Sequence, residues 1–262
     1  MSDILKVAAL QLEIVRGDRD ENLGRVGAAL EAMPAGVDVV MLPEMFSTGF
    51  ICNPAEAVEL GERMDGPTLN RLRQWARDCS AAMCGSMIVR VDDKVFNRAF
   101  FIEPSGDEYF YDKHHLFSFS GEDQAYSRGE SLMPVFRYRG WNLAMAVCFD
   151  LRFPAWLRNR QGGYDALLLM ANWPDSREYA WRHLLIARAI ENQAYVVGCN
   201  RGGSDDFGTY SGSSIFVDPK GQLIHSELDG CGMIAADLSR SELKTFREKF
   251  PVYLEGDDFR LV

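Results

Sequence analysis

One stretch constrains the fold more than any other: Leu143-Ala144-Met145-Ala146-Val147-Cys148-Phe149-Asp150-Leu151-Arg152-Phe153-Pro154. Its first five residues form an apolar run short enough for a buried strand, and polar residues follow the cysteine at once. Such a layout lifts one thiol to the carboxyl end of a strand, where open α/β sheets place their chemistry. Pro154 suits the first turn of a following helix, since its missing N–H would have no partner there. Backbone N–H groups at a strand-to-helix turn are ready to hold a developing negative charge. Taken alone, the simpler reading of Cys148 is a core thiol, because cysteine is among the most commonly buried residue types.

The rest of the chain repeats the same alternation. Residues 4–10 read as a first strand, and Asp20 as the cap of a helix carrying Leu23, Val26, Leu30 and Met33. Val37-Asp38-Val39-Val40-Met41-Leu42 is a second buried run, and it ends in Pro43-Glu44. A carboxylate at the end of a buried strand is a poor core residue. On that fact alone, a surface loop glutamate is the simpler reading. Pro67 opens another helix, and two strands follow at 82–91 and 95–102 around an Asp92-Asp93-Lys94 turn. Glu108-Tyr109-Phe110-Tyr111-Asp112 leads into Lys113, and the aromatic stretch 114–131 has no clean period. A long irregular loop in a compact domain is usually functional. Beyond it the pattern predicts a helix at 154–161, a strand at 166–170 and a long helix capped by Ser176. A strand at 194–199 and a Gly-rich loop at 201–212 come next. Strands at 213–217, 222–227 and 233–236 and a helix at 239–250 complete the chain. With no linker, repeat or low-complexity stretch, one domain is expected over residues 1–262, its core spanning about 4–250 and its tail about 251–262.

The net charge of −10 argues against nucleic-acid or anionic-membrane binding, which want basic surface. An anionic substrate would therefore need a locally positive pocket. Hydrophobic and charged fractions of 47% and 25% are those of an ordinary soluble globular protein. The six cysteines form no C-x-x-C, and the four histidines offer no zinc spacing, so no metal or cofactor is expected. The first residues lack a basic segment, no apolar run reaches membrane length, and no N-x-[ST] sequon occurs. Free thiols in a reducing cytoplasm are the economical expectation.

Glu44, Lys113 and Cys148 all fall at strand ends or strand–loop junctions, and together they form a chemically complete set for acyl transfer. A cysteine attacks as thiolate, and a carboxylate beside it takes the proton. A lysine ammonium and the backbone N–H after the cysteine then hold the oxyanion. No histidine is needed, and His183 and His225 read as structural or surface groups.

The chain here resembles the nitrilase, or carbon–nitrogen hydrolase, superfamily. The resemblance rests on Leu42-Pro43-Glu44-Met45-Phe46, on Tyr111-Asp112-Lys113-His114-His115-Leu116-Phe117, and on Val147-Cys148 through Pro154, in that order. The later run from Gly212 to Gly221 is similar to the family's strand and turn that follow. The resemblance implies Glu44 as general base and then acid, Lys113 at the oxyanion and Cys148 as nucleophile. It also implies an α/β fold, a four-layer α-β-β-α sandwich, and a homodimer packing sandwich on sandwich. Family members often carry a second glutamate after the lysine, and Glu122 fits that place, to orient Lys113 or the substrate nitrogen; a solvated loop acid is the plainer alternative. Met41 to Phe50 looks most like the omega-amidase branch, whose enzymes hydrolyse the terminal amide of short dicarboxylic acid monoamides such as 2-oxoglutaramate.

Such a small-molecule substrate bears a carboxylate, so the pocket needs a cation or several N–H donors. Arg177 and Arg201 are candidates, although for each taken singly a surface arginine paired with an acid is the simpler reading. Arg152 lies so close to Cys148 that an ion pair shaping the loop is expected of it. Phe149, Phe117 and Trp173 are expected to wall the pocket, the last two also fitting a core or dimer interface. A carbamoyl-amino-acid amidase or a nitrilase would use the same triad, and a catalytically silent dimerising scaffold is the reading from another class.

Overall fold

The computed structural model of the chain describes residues 2–225, 228, 230–257 and 259. Strand β1, Ile4–Gln11, has inward and outward positions that are both apolar, so it needs a layer on each face. Helix α1, Arg19–Glu31, is capped by Asp18, which accepts from the Glu21 N–H, two residues before the expected Asp20. The second strand, β2, is Val39–Met41, and a helix that the apolar pattern did not announce, α2, Pro54–Leu60, starts on the Asn53 side chain. Helix α3, Pro67–Cys79, begins at its proline as expected. Strands β3, Ala82–Val91, β4, Lys94–Ile102, and β5, Glu108–Asp112, follow. A short helix α4, Glu122–Ala125, interrupts the stretch read as an irregular loop.

The second half opens with a hairpin, β6, Val135–Tyr138, and β7, Trp141–Val147. Strand β8, Ala166–Met170, helix α5, Glu178–Asn192, and strand β9, Tyr195–Cys199, continue the alternation. The Gly-rich stretch is not a loop but a hairpin of β10, Gly202–Asp205, and β11, Gly208–Ser211. The chain closes with β12, Ile215–Val217, β13, Gly232–Ser239, and helix α6, Arg240–Lys249, capped by Ser239.

Besides the two-stranded β10–β11 hairpin, the described residues form two larger sheets, ordered β13-β1-β2-β3-β4-β5 and β12-β9-β8-β7-β6. Val7, Ala9, Val39, Met41, Ala82 and Cys84 of the first pack in one cluster with Leu143, Met145 and Leu167 of the second. The alternate residues Ala8, Leu10, Val40 and Met83 face α1 and α3 through Val26, Leu30, Leu69 and Leu72. On the second sheet Trp181, Leu185 and Ala189 of α5 and Leu243 of α6 join the inter-sheet cluster. The period of two along each strand therefore builds the expected α-β-β-α layers. Strands β1, β2 and β3 run parallel, as do β7, β8 and β9, so their carboxyl ends gather.

Three further expectations about elements need correction. Residues 154–161 form no α-helix: a 3-10 turn, Cys148–Arg152, precedes turns and a second 3-10 turn, Arg160–Gly162. Side chains occupy the backbone groups that a helix would use: Arg188 donates to Leu151 O, Tyr164 OH to Leu157 O, and the Asn159 N–H to Asn192 Oδ1. Helix α5 starts at Glu178 rather than on Ser176, because residues 175–177 close a 3-10 turn first. The strand expected at 222–227 reduces to one bridge between Leu223 and Val217, the turn at Asp218 tying up Gln222 N–H; residues 226 and 227 lie outside the described residues.

Candidate active site

Three strand ends deliver Glu44, Lys113 and Cys148. The chain leaves β2 through Leu42, whose N–H donates to Cys84 O, and turns at Met45, a non-glycine residue at φ 45°. The Met45 N–H donates to Ser86 Oγ, which fixes the turn and aims Glu44 inward. Lys113 follows β5, its N–H held by Asn97 O. Cys148 follows β7 at φ 44°, a left-handed conformation that costs a non-glycine residue roughly 1–2 kcal/mol. Asp150 holds that turn in place: its Oδ2 accepts from the Val147 N–H at 3.1 Å and Tyr111 OH at 2.9 Å, while Oδ1 accepts from the His115 N–H at 3.0 Å. The Cys148 turn and the lysine loop are thus tied to one buried carboxylate.

Lys113 Nζ donates to Glu44 Oε1 at 2.8 Å and to both oxygens of Glu122 at 2.8 and 2.9 Å. All three residues are at most 1% exposed. Glu44 also accepts from Asn97 Nδ2 at 2.8 Å and from the Asn172 N–H at 2.9 Å, and Glu122 from the Phe117 N–H at 2.6 Å. Buried charges persist only when they are paired and their remaining sites are hydrogen-bonded, and that condition is met here.

The electrostatics assign resting protonation states. Burial opposes the charge on Lys113, but the carboxylates of Glu122 and Glu44 outweigh it and hold its pKa well above the ordinary lysine value. Burial, then the Glu44 carboxylate, pushes the Cys148 thiol well above its ordinary value, against the pull of Lys113. The sulfur therefore rests as a neutral thiol, which would need a base to become a thiolate. Glu122 is raised by burial and by Glu44, in the manner of two carboxylates around one ammonium.

Beside this cluster lies a cavity of about 140 Å³ with Cys148 and Lys113 in its wall. That is well below the ~300–1,000 Å³ of sites for drug-sized ligands, so the ligand is small. Phe149, Phe117, Trp173 and Arg177, all expected at the pocket, line it. So do Phe50, Asn172, Phe207 and Tyr210, which the motifs did not single out. Phe207 and Tyr210 come from the β10–β11 hairpin, and a glycine-rich sequence gives no hint of which residues its fold-back will present. Asn97 is the one new polar residue with a readable signal, as a lone amide in the apolar run of β4.

The arginines divide. Arg177 lies over the Phe117 ring at 5.1 Å and Arg152 over the Trp173 ring at 5.0 Å, and both line the cavity. Neither carries an ion pair among the described residues, which corrects the loop-shaping pair expected of Arg152. Arg201 is removed from the carboxylate-binding candidates: it is fully buried, with Nη1 on Asp205 at 2.7 Å, Nη2 on Ile14 O and Nε on Gly202 O. It anchors the hairpin. Of the two histidines set aside, His183 is exposed and bonded to Tyr179 O, and His225 packs beside Phe216.

The sequence profile of the family described as Carbon-nitrogen hydrolase matches residues 6–248. The chain belongs to the carbon-nitrogen hydrolase family. It is 41% identical to the omega-amidase YafV of Escherichia coli (strain K12) over 98% of both chains. It is 32% identical to the 2-oxoglutaramate amidase of Bacillus subtilis (strain 168) over 97% of both. Among solved structures it superposes with a TM-score of 0.95 on XC1258 from Xanthomonas campestris, a CN-hydrolase superfamily protein with an arsenic adduct in its active site, at 36% identity over the whole of both chains. Carbon–nitrogen hydrolase chemistry and the nitrilase-type sandwich are therefore those of this chain.

Proposed function

We propose that this enzyme is an omega-amidase, hydrolysing the terminal amide of short dicarboxylic acid monoamides such as 2-oxoglutaramate to the dicarboxylate and ammonia. The observation that carries the reading is the pairing, in one small cavity, of a neutral thiol beside a carboxylate with two guanidinium groups that have no ion pair among the described residues. The relatives named for omega-amidase and 2-oxoglutaramate activity support it.

In this mechanism Glu44 takes the Cys148 proton as the sulfur attacks the amide carbon. Lys113 and the Phe149 N–H hold the oxyanion, worth roughly 10²–10³ in rate for each donor. Glu44 returns its proton to the nitrogen, the carbon–nitrogen bond breaks, and ammonia leaves a thioester. Glu44 then activates water to release the acid. Glu122 holds Lys113 in place through two hydrogen bonds. Phe117, Phe149 and Trp173 wall the acyl chain, and Arg152 and Arg177 bind the distal carboxylate. No cofactor enters any step.

We further infer a cytoplasmic homodimer. Six free thiols fit a reducing compartment, and α5 presents Tyr179 and Ile190, 75% and 52% exposed, on its outer face. The test is ammonia release over a panel of omega-amides, carbamoyl amino acids and nitriles. Omega-amides should be turned over with the highest kcat/KM, and a preference for carbamoyl amino acids would displace the proposal.

A further inference from the structure

Asn172 follows β8 at the carboxyl edge of the sheet, beside the strand that carries Cys148. It is 7% exposed and lines the cavity. Its backbone N–H donates to Glu44 Oε2 at 2.9 Å, and its Nδ2 donates to the Glu44 carbonyl. The second bond fixes the orientation of the amide, since turning it over would set two carbonyl oxygens face to face. Asn172 Oδ1 is then left with no hydrogen-bond partner among the described residues. The other buried side-chain atoms in that condition are all N–H donors of residues outside the cavity wall. Buried acceptors are almost always satisfied in native proteins, and an exception at an active site points to a ligand group.

We propose that Asn172 Oδ1 accepts a hydrogen bond from the carboxamide nitrogen of the substrate and holds that nitrogen as it departs. The role rests on the amidase reading of the site. The nitrogen is one bond from the carbon that sulfur attacks, and it must face Glu44 to receive its proton; Asn172 is bonded to Glu44 at two points. When the proton arrives, the carbon–nitrogen bond breaks with its electron pair going to nitrogen, the carbonyl re-forms on the thioester, and ammonia leaves. The nitrogen gains N–H bonds through this step, so an acceptor beside it is used more fully in the transition state than in the ground state. An ester oxygen has no N–H to offer, so Asn172 reads amide over ester.

The test compares the monoamide and the monomethyl ester of one dicarboxylic acid, which share a thioester intermediate, in wild type, Asn172→Ala and Asn172→Asp. Asn172→Ala should lower the amide-to-ester ratio of kcat/KM by roughly tenfold or more, the size of one buried hydrogen bond. Asn172→Asp keeps an acceptor but loses the donor to the Glu44 carbonyl, so its ratio should stay near wild type even where both rates fall. Amide and ester rates falling together in Asn172→Ala would overturn the role, leaving only support of Glu44. So would a lowered ratio in Asn172→Asp to the same extent as in Asn172→Ala. Wild type inactive on the amide would instead overturn the amidase reading itself.

Discussion

Lys113 and Glu122 meet through both carboxylate oxygens, at 2.8 and 2.9 Å, with neither side chain reaching solvent. The pair spans only nine residues of chain, yet Lys113 follows a strand and Glu122 starts a helix of one turn. A second carboxylate, Glu44, also accepts from the ammonium, at 2.8 Å.

Lys113→Met should therefore damage both activity and fold. Losing one oxyanion donor costs roughly 10²–10³ in kcat. Leaving two buried carboxylates without their cation costs about 3–5 kcal/mol of stability. Steady-state kinetics and thermal melts read the two effects separately; a variant as stable as wild type would mean the carboxylates are not charged together in the native state.

Cys148→Ala should behave oppositely. The thiol-to-methyl change removes little packing and relieves no pairing, so the melting temperature should stay within a few degrees of wild type, about 1 kcal/mol. Turnover should vanish. Residual ammonia release above a few per cent of wild type would take Cys148 out of the mechanism.

Replacing either cavity arginine, Arg152→Gln or Arg177→Gln, should raise KM for carboxylate-bearing amides. A charge-assisted hydrogen bond contributes about 1.5–3 kcal/mol, which is roughly tenfold to a hundredfold. Amides lacking the distal carboxylate should be unaffected. Arg201→Ala should instead lower the melting temperature, because it strands the buried Asp205 at a cost of about 3–5 kcal/mol. Equal KM effects from all three substitutions would contradict this division.

Alkaline pH should destabilise the protein from about pH 9 upward. The buried thiols of Cys84, Cys148 and Cys199 are held above the ordinary value of 9.0, chiefly by desolvation. Above that pH the unfolded chain has lost these protons while the native state keeps them. Fewer protons bound in the unfolded state means stability falls as pH rises. Urea unfolding between pH 8 and 10 should show this decline, and Cys148→Ala should make it shallower. A flat profile would show that these thiols ionise as readily inside the fold as outside it.

Much of the fold was legible because burial on both faces leaves a mark in the sequence. The apolar runs at 4–10, 37–42, 143–147 and 166–170 each hold a strand, and their period of two supplied both the inter-sheet core and the helix-facing sides. Helix α2 and the β10–β11 hairpin escaped notice because one is held by the Asn53 cap and the other by the buried Arg201–Asp205 pair. Local apolar pattern carries neither signal.

The residue types at the ends of those strands were set by the primary chain: a carboxylate after β2, an ammonium after β5, a thiol after β7. Those types make a chemically complete set for acyl transfer, and the resemblance of the motifs that carry them implied a carbon–nitrogen hydrolase. Folding decided the rest. It drew the carboxylates of Glu44 and Glu122 each within 3 Å of the Lys113 ammonium, sent Arg201 inward to a structural post, and left Arg152 and Arg177 on the cavity wall. An arginine reads the same in a sequence whether it meets an aspartate or an open pocket. Only the three-dimensional surroundings determine which charge is compensated and which is available to a ligand.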